Sequence, residues 1–297
     1  MNQRLIVLLL SVLVALTALV AAPVTVAAGS AGPLPACRYA DVLAPLRAYR
    51  DWGKTLLDTI YKVPKSYLPP DLVSVGRANI GGSGKVRKIV VDDLAAMTAA
   101  ARKNGTPIAV QSAYRSYSSQ ASIYNNHVRR LGTKLARLQS ARPGHSEHQL
   151  GTTIDFKAAA GGIPWSGGAF YKSPAGKWMA SNAWRFGFVM SYPPNKRKAT
   201  CYMYEAWHYR YVGVETATKV RASGLTLREW LWRQGYGNGK ASAGAKAAPA
   251  AGATSPKGST AAAKVAPAKA AAQPKTGPVP AARDELFRVY GLTVLRF

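Results

Sequence analysis

Four histidines, His127, His145, His148 and His208, stand in a chain with 40 Lys and Arg against 13 Asp and Glu. Side chains able to bind a metal cation are therefore scarce. Most fall in two short stretches, Pro143-Gly144-His145-Ser146-Glu147-His148-Gln149-Leu150-Gly151-Thr152-Thr153-Ile154-Asp155 and Glu205-Ala206-Trp207-His208. Ligand atoms on one zinc ion lie about 2 Å from it, and so within ~3–4 Å of each other. On a continuous helix, rising ~1.5 Å per residue, His148 and Asp155 would be about 10 Å apart, so the chain must fold back between them. Gly151 permits that bend, and a strand after it would present Asp155 on one face. His208 offers a third ligand and leaves a fourth position for water, whose proton Glu205 could then accept. Residues three apart face opposite ways on an ideal strand, so Glu205 and His208 require a turn, a bulge or a strand end between them. An isolated pair of histidines is more often structural than metal-binding, and spacing alone leaves both readings open.

The elements that must position these groups follow from periodicity and punctuation. Asp92 and Asp93 open an Ala-rich helix over 94–104 that Gly105 closes. Residues 107–113 are apolar and extended, predicting a strand that ends at Tyr114-Arg115-Ser116, and 118–130 reads as the next helix. The stretch 152–156 alternates like a strand, with Thr153 and Asp155 on the face opposite Thr152, Ile154 and Phe156. A helix over 177–186, a strand over 187–191, an aromatic strand or strand end over 204–211 and a helix over 226–234 capped by Thr226 complete the core. At its front, Leu43, Leu46, Trp52, Leu56, Leu57 and Ile60 stand near helical spacing and predict a helix across 39–62. Helices and strands that do not alternate regularly point to an α+β fold, not a doubly wound parallel sheet.

Three blocks taken in order resemble the VanY-type D-alanyl-D-alanine carboxypeptidases, zinc peptidases that trim bacterial cell-wall peptides. They are Ser112-Ala113-Tyr114-Arg115-Ser116-Tyr117-Ser118-Ser119-Gln120, then Pro143 through Asp155, then Glu205-Ala206-Trp207-His208-Tyr209-Arg210-Tyr211-Val212-Gly213. The resemblance spans about 68–234. It implies a Hedgehog/DD-peptidase-like zinc peptidase core, a small, mainly antiparallel sheet flanked by helices. It further implies one Zn2+ held by His148, Asp155 and His208, with Glu205 as general base and later proton donor. Arg115 would hold the polarised carbonyl oxygen or the substrate carboxylate, Gln120 and Ser146 would contact the peptide terminus, and Trp207 would wall the pocket. Ala113, where Gly is common, and Thr152-Thr153, where small apolar residues are common, are mild departures outside the inferred chemistry. Each role has a plainer alternative: Glu205 pairing with Arg210, Arg115 in a structural salt bridge, Gln120 facing solvent, Ser146 as an N-cap, Trp207 in the core. His145 occupies a variable place in the motif and is assigned no role. The implied substrate is the terminal D-alanine of a peptidoglycan stem peptide. The alternatives are an endopeptidase cutting within the stem or the cross-link, and a non-catalytic cell-wall-binding protein.

Composition divides the rest of the chain. Residues 1–31 combine Arg4, an apolar run and a small-residue stretch, a signal-peptide layout for which a retained N-terminal anchor is the rival reading. The peptidase domain is expected over 36–236. Residues 239–280 are an Ala/Pro/Lys-rich basic linker too poor in large apolar side chains to fold, and 281–297 form a short segment of undecided role. Both N-terminal readings place the chain outside the cytoplasm, where Cys37 and Cys201 are expected to bond to each other, two buried free thiols being the alternative. The formal charge of +27 then suggests anionic cell-wall polymers, and membrane only if the anchor is retained, and no specific nucleic acid.

Overall fold

The computed structural model describes residues 32–47 and 49–237; the expectations for 1–31, 239–280 and 281–297 lie outside the described residues. Five strands, β1 (Gly81–Gly82), β2 (Ile108–Ser112), β3 (Thr153–Ala158), β4 (Phe188–Met190) and β5 (His208–Tyr211), form one sheet in the order β1-β2-β3-β5-β4. Within it β1 runs parallel to β2, and the other pairings are antiparallel. This is the small, mainly antiparallel sheet of the expected α+β fold. Alternation along β3 sends Ile154 and Phe156 into the main core, where they meet Phe188, Tyr209 and Tyr211, and leaves Asp155 for the other face.

Helices cover that core. Helix α1 (Val91–Lys103) buries Leu94, Met97, Thr98 and Ala101, spaced by three and four as an amphipathic helix requires. The Ser116 hydroxyl caps α2 (Tyr117–Gln139) by accepting from the Ser119 N–H. This helix continues past the expected end at 130, because the good helix formers Lys134 to Arg137 resume after a break at Gly132, whose φ is 75°. Helix α3 (Pro174–Asn182) contributes Ala175 and Met179 to the main core. Helix α4 (Val214–Ser223) was not foreseen: it buries only Ala217 and Val220, too thin a stripe to register as periodicity. Helix α5 (Leu227–Arg233) starts with a reciprocal capping box between Thr226 and Glu229.

The helix expected over 39–62 does not form. Val42–Leu43 pairs in parallel with Tyr61–Lys62, and a short 3-10 turn occupies Tyr49–Asp51. Two causes are visible. Pro45 cannot donate within a helix. The Asp58 carboxylate accepts from the Ile60 and Tyr61 N–H groups at 2.7 and 2.8 Å, a local turn that competes with helix. Meanwhile the Trp52 and Thr55 carbonyls accept from the Arg210 guanidinium, both at 2.7 Å. Of the apolar residues that suggested a helix, Leu56, Leu57 and Ile60 are buried, Leu56 and Leu57 in separate clusters, while Leu43 is exposed. Their spacing reported burial only in its second half, and backbone incorrectly.

Residues 32–44 lie as an arm along this surface. Pro35 and Gly32 carbonyls accept from Arg228 and Trp232, and Cys37 and Cys201 form a disulfide across 164 positions. In the chain-entropy model such a loop contributes about 5 kcal/mol. Replacing both cysteines by serine is expected to lower the midpoint of urea unfolding by a corresponding amount. An unchanged midpoint would show that the crosslink does not constrain the unfolded chain.

Candidate metal centre

Two chain reversals and one strand pairing bring the site together. After a 3-10 turn over Glu147–Leu150, Gly151 takes φ 74° and ψ 11°, the left-handed conformation that glycine adopts without strain. A Cβ there would meet Leu72 and Arg87 side chains at 2.9 and 3.0 Å. This is the bend required between His148 and Asp155. Asp155 then sits on β3 opposite His208 of β5. The break required after Glu205 is also present: the His208 N–H bonds back to the Glu205 carbonyl at 3.3 Å, and the strand begins only at His208.

His148, Asp155 and His208 are all buried, and each offers one ligand atom within 4.8 Å of the others. His148 Nε2 is 3.2 Å from Asp155 Oδ2, and His208 Nδ1 is 3.2 Å from Asp155 Oδ1 and 3.4 Å from Glu205 Oε2. The second nitrogen of each imidazole is already engaged. His148 Nδ1 donates to the Ala113 carbonyl at 2.7 Å, and His208 Nε2 lies 3.0 Å from Glu147 Oε2. Thus His148 turns Nε2, and His208 turns Nδ1, toward Asp155. Both His148 Nε2 and Asp155 Oδ1 are buried without a hydrogen-bond partner, a costly state for polar atoms that a bound cation would relieve. The donor set, two imidazoles and a carboxylate, fits zinc.

Electrostatics favour a cation at the same point. Burial, followed by the nearby Arg115 charge, lowers His148 to about 4, so its imidazole is neutral. For His208 burial opposes protonation, but the adjacent Asp155 carboxylate, the bond to Glu147 and the nearby Glu205 outweigh it and raise the ring to about 10. In the metal-free protein a proton on His208 thus supplies part of the positive charge this carboxylate-rich site demands. Glu205 is pushed up to about 7, mainly by burial and against the pull of His208. Its side chain remains 15 % exposed, against 5 % for Asp155 and His208, so it borders the solvent side of the cluster.

The other sequence-predicted residues fall in different places. The Arg115 N–H bonds to the His148 carbonyl at 3.3 Å, and its Nε is buried without a partner, leaving a donor free beside the cluster. Gln120 is buried, not solvent-facing: Nε2 donates to Ser140 Oγ and the Ala141 carbonyl, while Oε1 has no partner. Ser146 stands at the N-cap of the 3-10 turn, but its hydroxyl makes no capping bond. Trp207 is half-buried against the main core and meets the exposed Trp165 edge-on, with ring centroids 5.7 Å apart. His145 is bound elsewhere, to Asp41 Oδ1 and the Asp58 carbonyl.

Sequence reasoning missed Glu147, Arg210 and Ser191. Arg210 Nη1 reaches Glu147 Oε1 at 3.1 Å, and the Ser191 hydroxyl donates to Oε2 at 2.6 Å. Arg210 therefore pairs with Glu147, not with Glu205. Burial resists ionisation of Glu147, yet Arg210 and the bonds from His208 and Ser191 hold its carboxyl down at about 2. The sequence shows only an acid next to a histidine in a core with few acids; the cation it faces, on the same strand as the second histidine, is brought to it by the fold.

Comparison with known proteins agrees with this geometry. The family model described as D-alanyl-D-alanine carboxypeptidase matches residues 83–214. The Bacillus subtilis protein YodJ is 38 % identical over 181 residues, which are 59 % of this chain and 66 % of that protein. The chain thus spans about half to two-thirds of the length of the curated relatives it matches. Among solved structures, the LdcB LD-carboxypeptidase is 36 % identical with a TM-score of 0.56, over 61 % of this chain and 87 % of that one. A mutant vancomycin-resistance D,D-pentapeptidase, VanY, in complex with Zn(II) is 32 % identical with a TM-score of 0.51, over 61 % and 99 %.

Proposed function

Since the chain belongs to the VanY-type D-alanyl-D-alanine carboxypeptidase family, we propose that it is a zinc-dependent peptidase removing a terminal D-alanine from peptidoglycan stem peptides. The observation that carries this reading is the buried trio His148, Asp155 and His208 with Glu205 Oε2 3.4 Å from His208 Nδ1. His148 Nε2, the Asp155 carboxylate and His208 Nδ1 would hold the ion. When bound, it supplies Lewis acidity, acidifying a water and polarising the scissile carbonyl. Glu205 accepts the water proton at Oε2 and later returns it to the leaving amine, work for which a carboxyl raised toward neutrality is matched. Arg115 stabilises the developing oxyanion or binds the terminal carboxylate through its forked donors. Trp207, backed by Trp165, walls the site, and Gln120 and Ser146 support the peptide terminus.

The signal-peptide layout of 1–31, the disulfide and the basic surface support action outside the cytoplasm against anionic wall polymers. Residues 36–236 act as the peptidase domain, with 239–280 as a basic linker. Among the described residues no helix is long and apolar enough to cross a membrane.

Likeness to the LdcB LD-carboxypeptidase favours a second reading, in which the bond cut precedes the alanine of a tetrapeptide. Mass spectrometry of muropeptides treated with the zinc-loaded protein tests both. Conversion of pentapeptide to tetrapeptide is expected, and conversion of tetrapeptide to tripeptide would select the second reading. Release of larger pieces would mean an endopeptidase, and intact muropeptides a wall-binding protein. A chelator should abolish turnover and zinc restore it; chelator-resistant cleavage would remove the metal from the reaction.

A further inference from the structure

Glu147 lies behind the His208 ring, on the side away from Asp155. Its two oxygens are fully used: Oε2 meets His208 Nε2 at 3.0 Å and the Ser191 hydroxyl at 2.6 Å, while Oε1 accepts from Arg210 at 3.1 Å. The Arg210 side chain is fully buried, and its Nη2 ties down the Trp52 and Thr55 carbonyls. His208 and Arg210 are two apart on β5, so both side chains leave the same face of the strand. One carboxylate thereby receives the candidate ligand and its neighbour together, from the residue directly preceding the other histidine ligand.

We propose that Glu147 is a positioning residue for metal binding: it holds the proton of His208 on Nε2, so that Nδ1 presents its lone pair to the ion, and Arg210 keeps that carboxylate in place. The proposal rests on the metal-centre reading above. An imidazole without this partner could flip about its ring axis or carry its proton on Nδ1, and either change withdraws the ligand. A carboxylate behind a ligating histidine also raises the ring's basicity, and loss of such a partner typically weakens metal binding ~10–100-fold. His148 is fixed by a different acceptor, the Ala113 carbonyl, so loss of Glu147 acts on one ligand only. The buried Glu147–Arg210 pair has no need to add stability: such pairs often contribute little net free energy, while removal of one partner strands the other.

The test compares Glu147→Gln and, as a control, Glu215→Gln with the parent full chain, using zinc alone, chelator competition and the visible spectrum of the cobalt-substituted protein. Glu147→Gln keeps the shape and loses the charge. It is expected to raise the zinc dissociation constant ~10–100-fold and to alter the cobalt spectrum, with circular dichroism unchanged. Glu215→Gln makes the same acid-to-amide change in an exposed pair with Lys219 and should bind zinc like the parent. Parent affinity and spectrum in Glu147→Gln would overturn the proposal. Should that variant fail to fold, the tautomer of His208 in the zinc-loaded parent, read from 15N–1H correlation of the ring, still decides: protonation at Nε2 supports the assignment, and protonation at Nδ1 overturns it. A parent that binds no zinc would instead refute the metal-centre reading itself.

Discussion

Glu205→Gln is expected to yield a folded protein that binds one zinc ion as the parent does and hydrolyses muropeptides about 10²–10⁴-fold more slowly, the usual contribution of a general acid–base group. The three ligand side chains do not depend on Glu205 for orientation. His208 is held from behind through Nε2, His148 by the Ala113 carbonyl, and Asp155 by its place on β3 opposite His208. Glutamine fills the same space, so packing around the buried Ala206 and Tyr192 is kept. What is lost is an oxygen able to take and return a proton. The loss should fall on kcat more than on KM, since the proton moves only in the reacting complex. A Glu205→Gln protein that turns over at the parent rate would end the assignment of Glu205 as base. One that has lost zinc would instead make Glu205 a ligand.

His208→Ala should abolish both zinc binding and turnover. Two ligands remain, His148 and Asp155, and the affinity loss should exceed the ~10–100-fold that follows removal of a supporting hydrogen bond alone. The effect reaches beyond the ion. His208 is the group that bonds to Glu147 and faces Asp155 and Glu205, and its removal leaves three carboxyl groups around an empty space. Metal-free His208→Ala is therefore expected to unfold more readily than the metal-free parent, because the remaining buried acids lose a cationic partner. Zinc content by atomic spectroscopy and a thermal melt of both apoproteins measure the two effects. Stoichiometric zinc in His208→Ala would remove this residue from the ligand set.

The site was more legible in sequence than the scaffold that holds it. Its ligand types are rare in so basic a chain, and the bend at Gly151 and the break after Glu205 followed from reach and strand geometry alone. Helix α1, strand β3 and helix α5 announced themselves through alternation and caps, which are local properties. The segment around 39–62 did so only in part: Pro45 and the Asp58 turn are local, but the arginine that binds its carbonyls lies far along the chain. Glu147 stayed hidden for the same reason: one acid beside His148 becomes informative only when β5 brings His208 and Arg210 against it. Gln120 and Ser146 carry side chains that suit several roles, and only coordinates distinguish a cap from a tether.

The grip of Arg210 on the front segment has a bearing on the order of assembly. A chain that appears N-terminus first presents Trp52, Thr55 and Cys37 well before Arg210 and Cys201, with 164 positions between the two cysteines. Contacts that close such long loops form late and slowly, because their entropic cost precedes their reward. A chain stopped before Glu205 would hold two of the three ligands, neither Glu205 nor His208, and a front segment with no guanidinium to organise it. Complete coordination of the ion then waits on β5, and a loaded ion certifies that the final strand is in place.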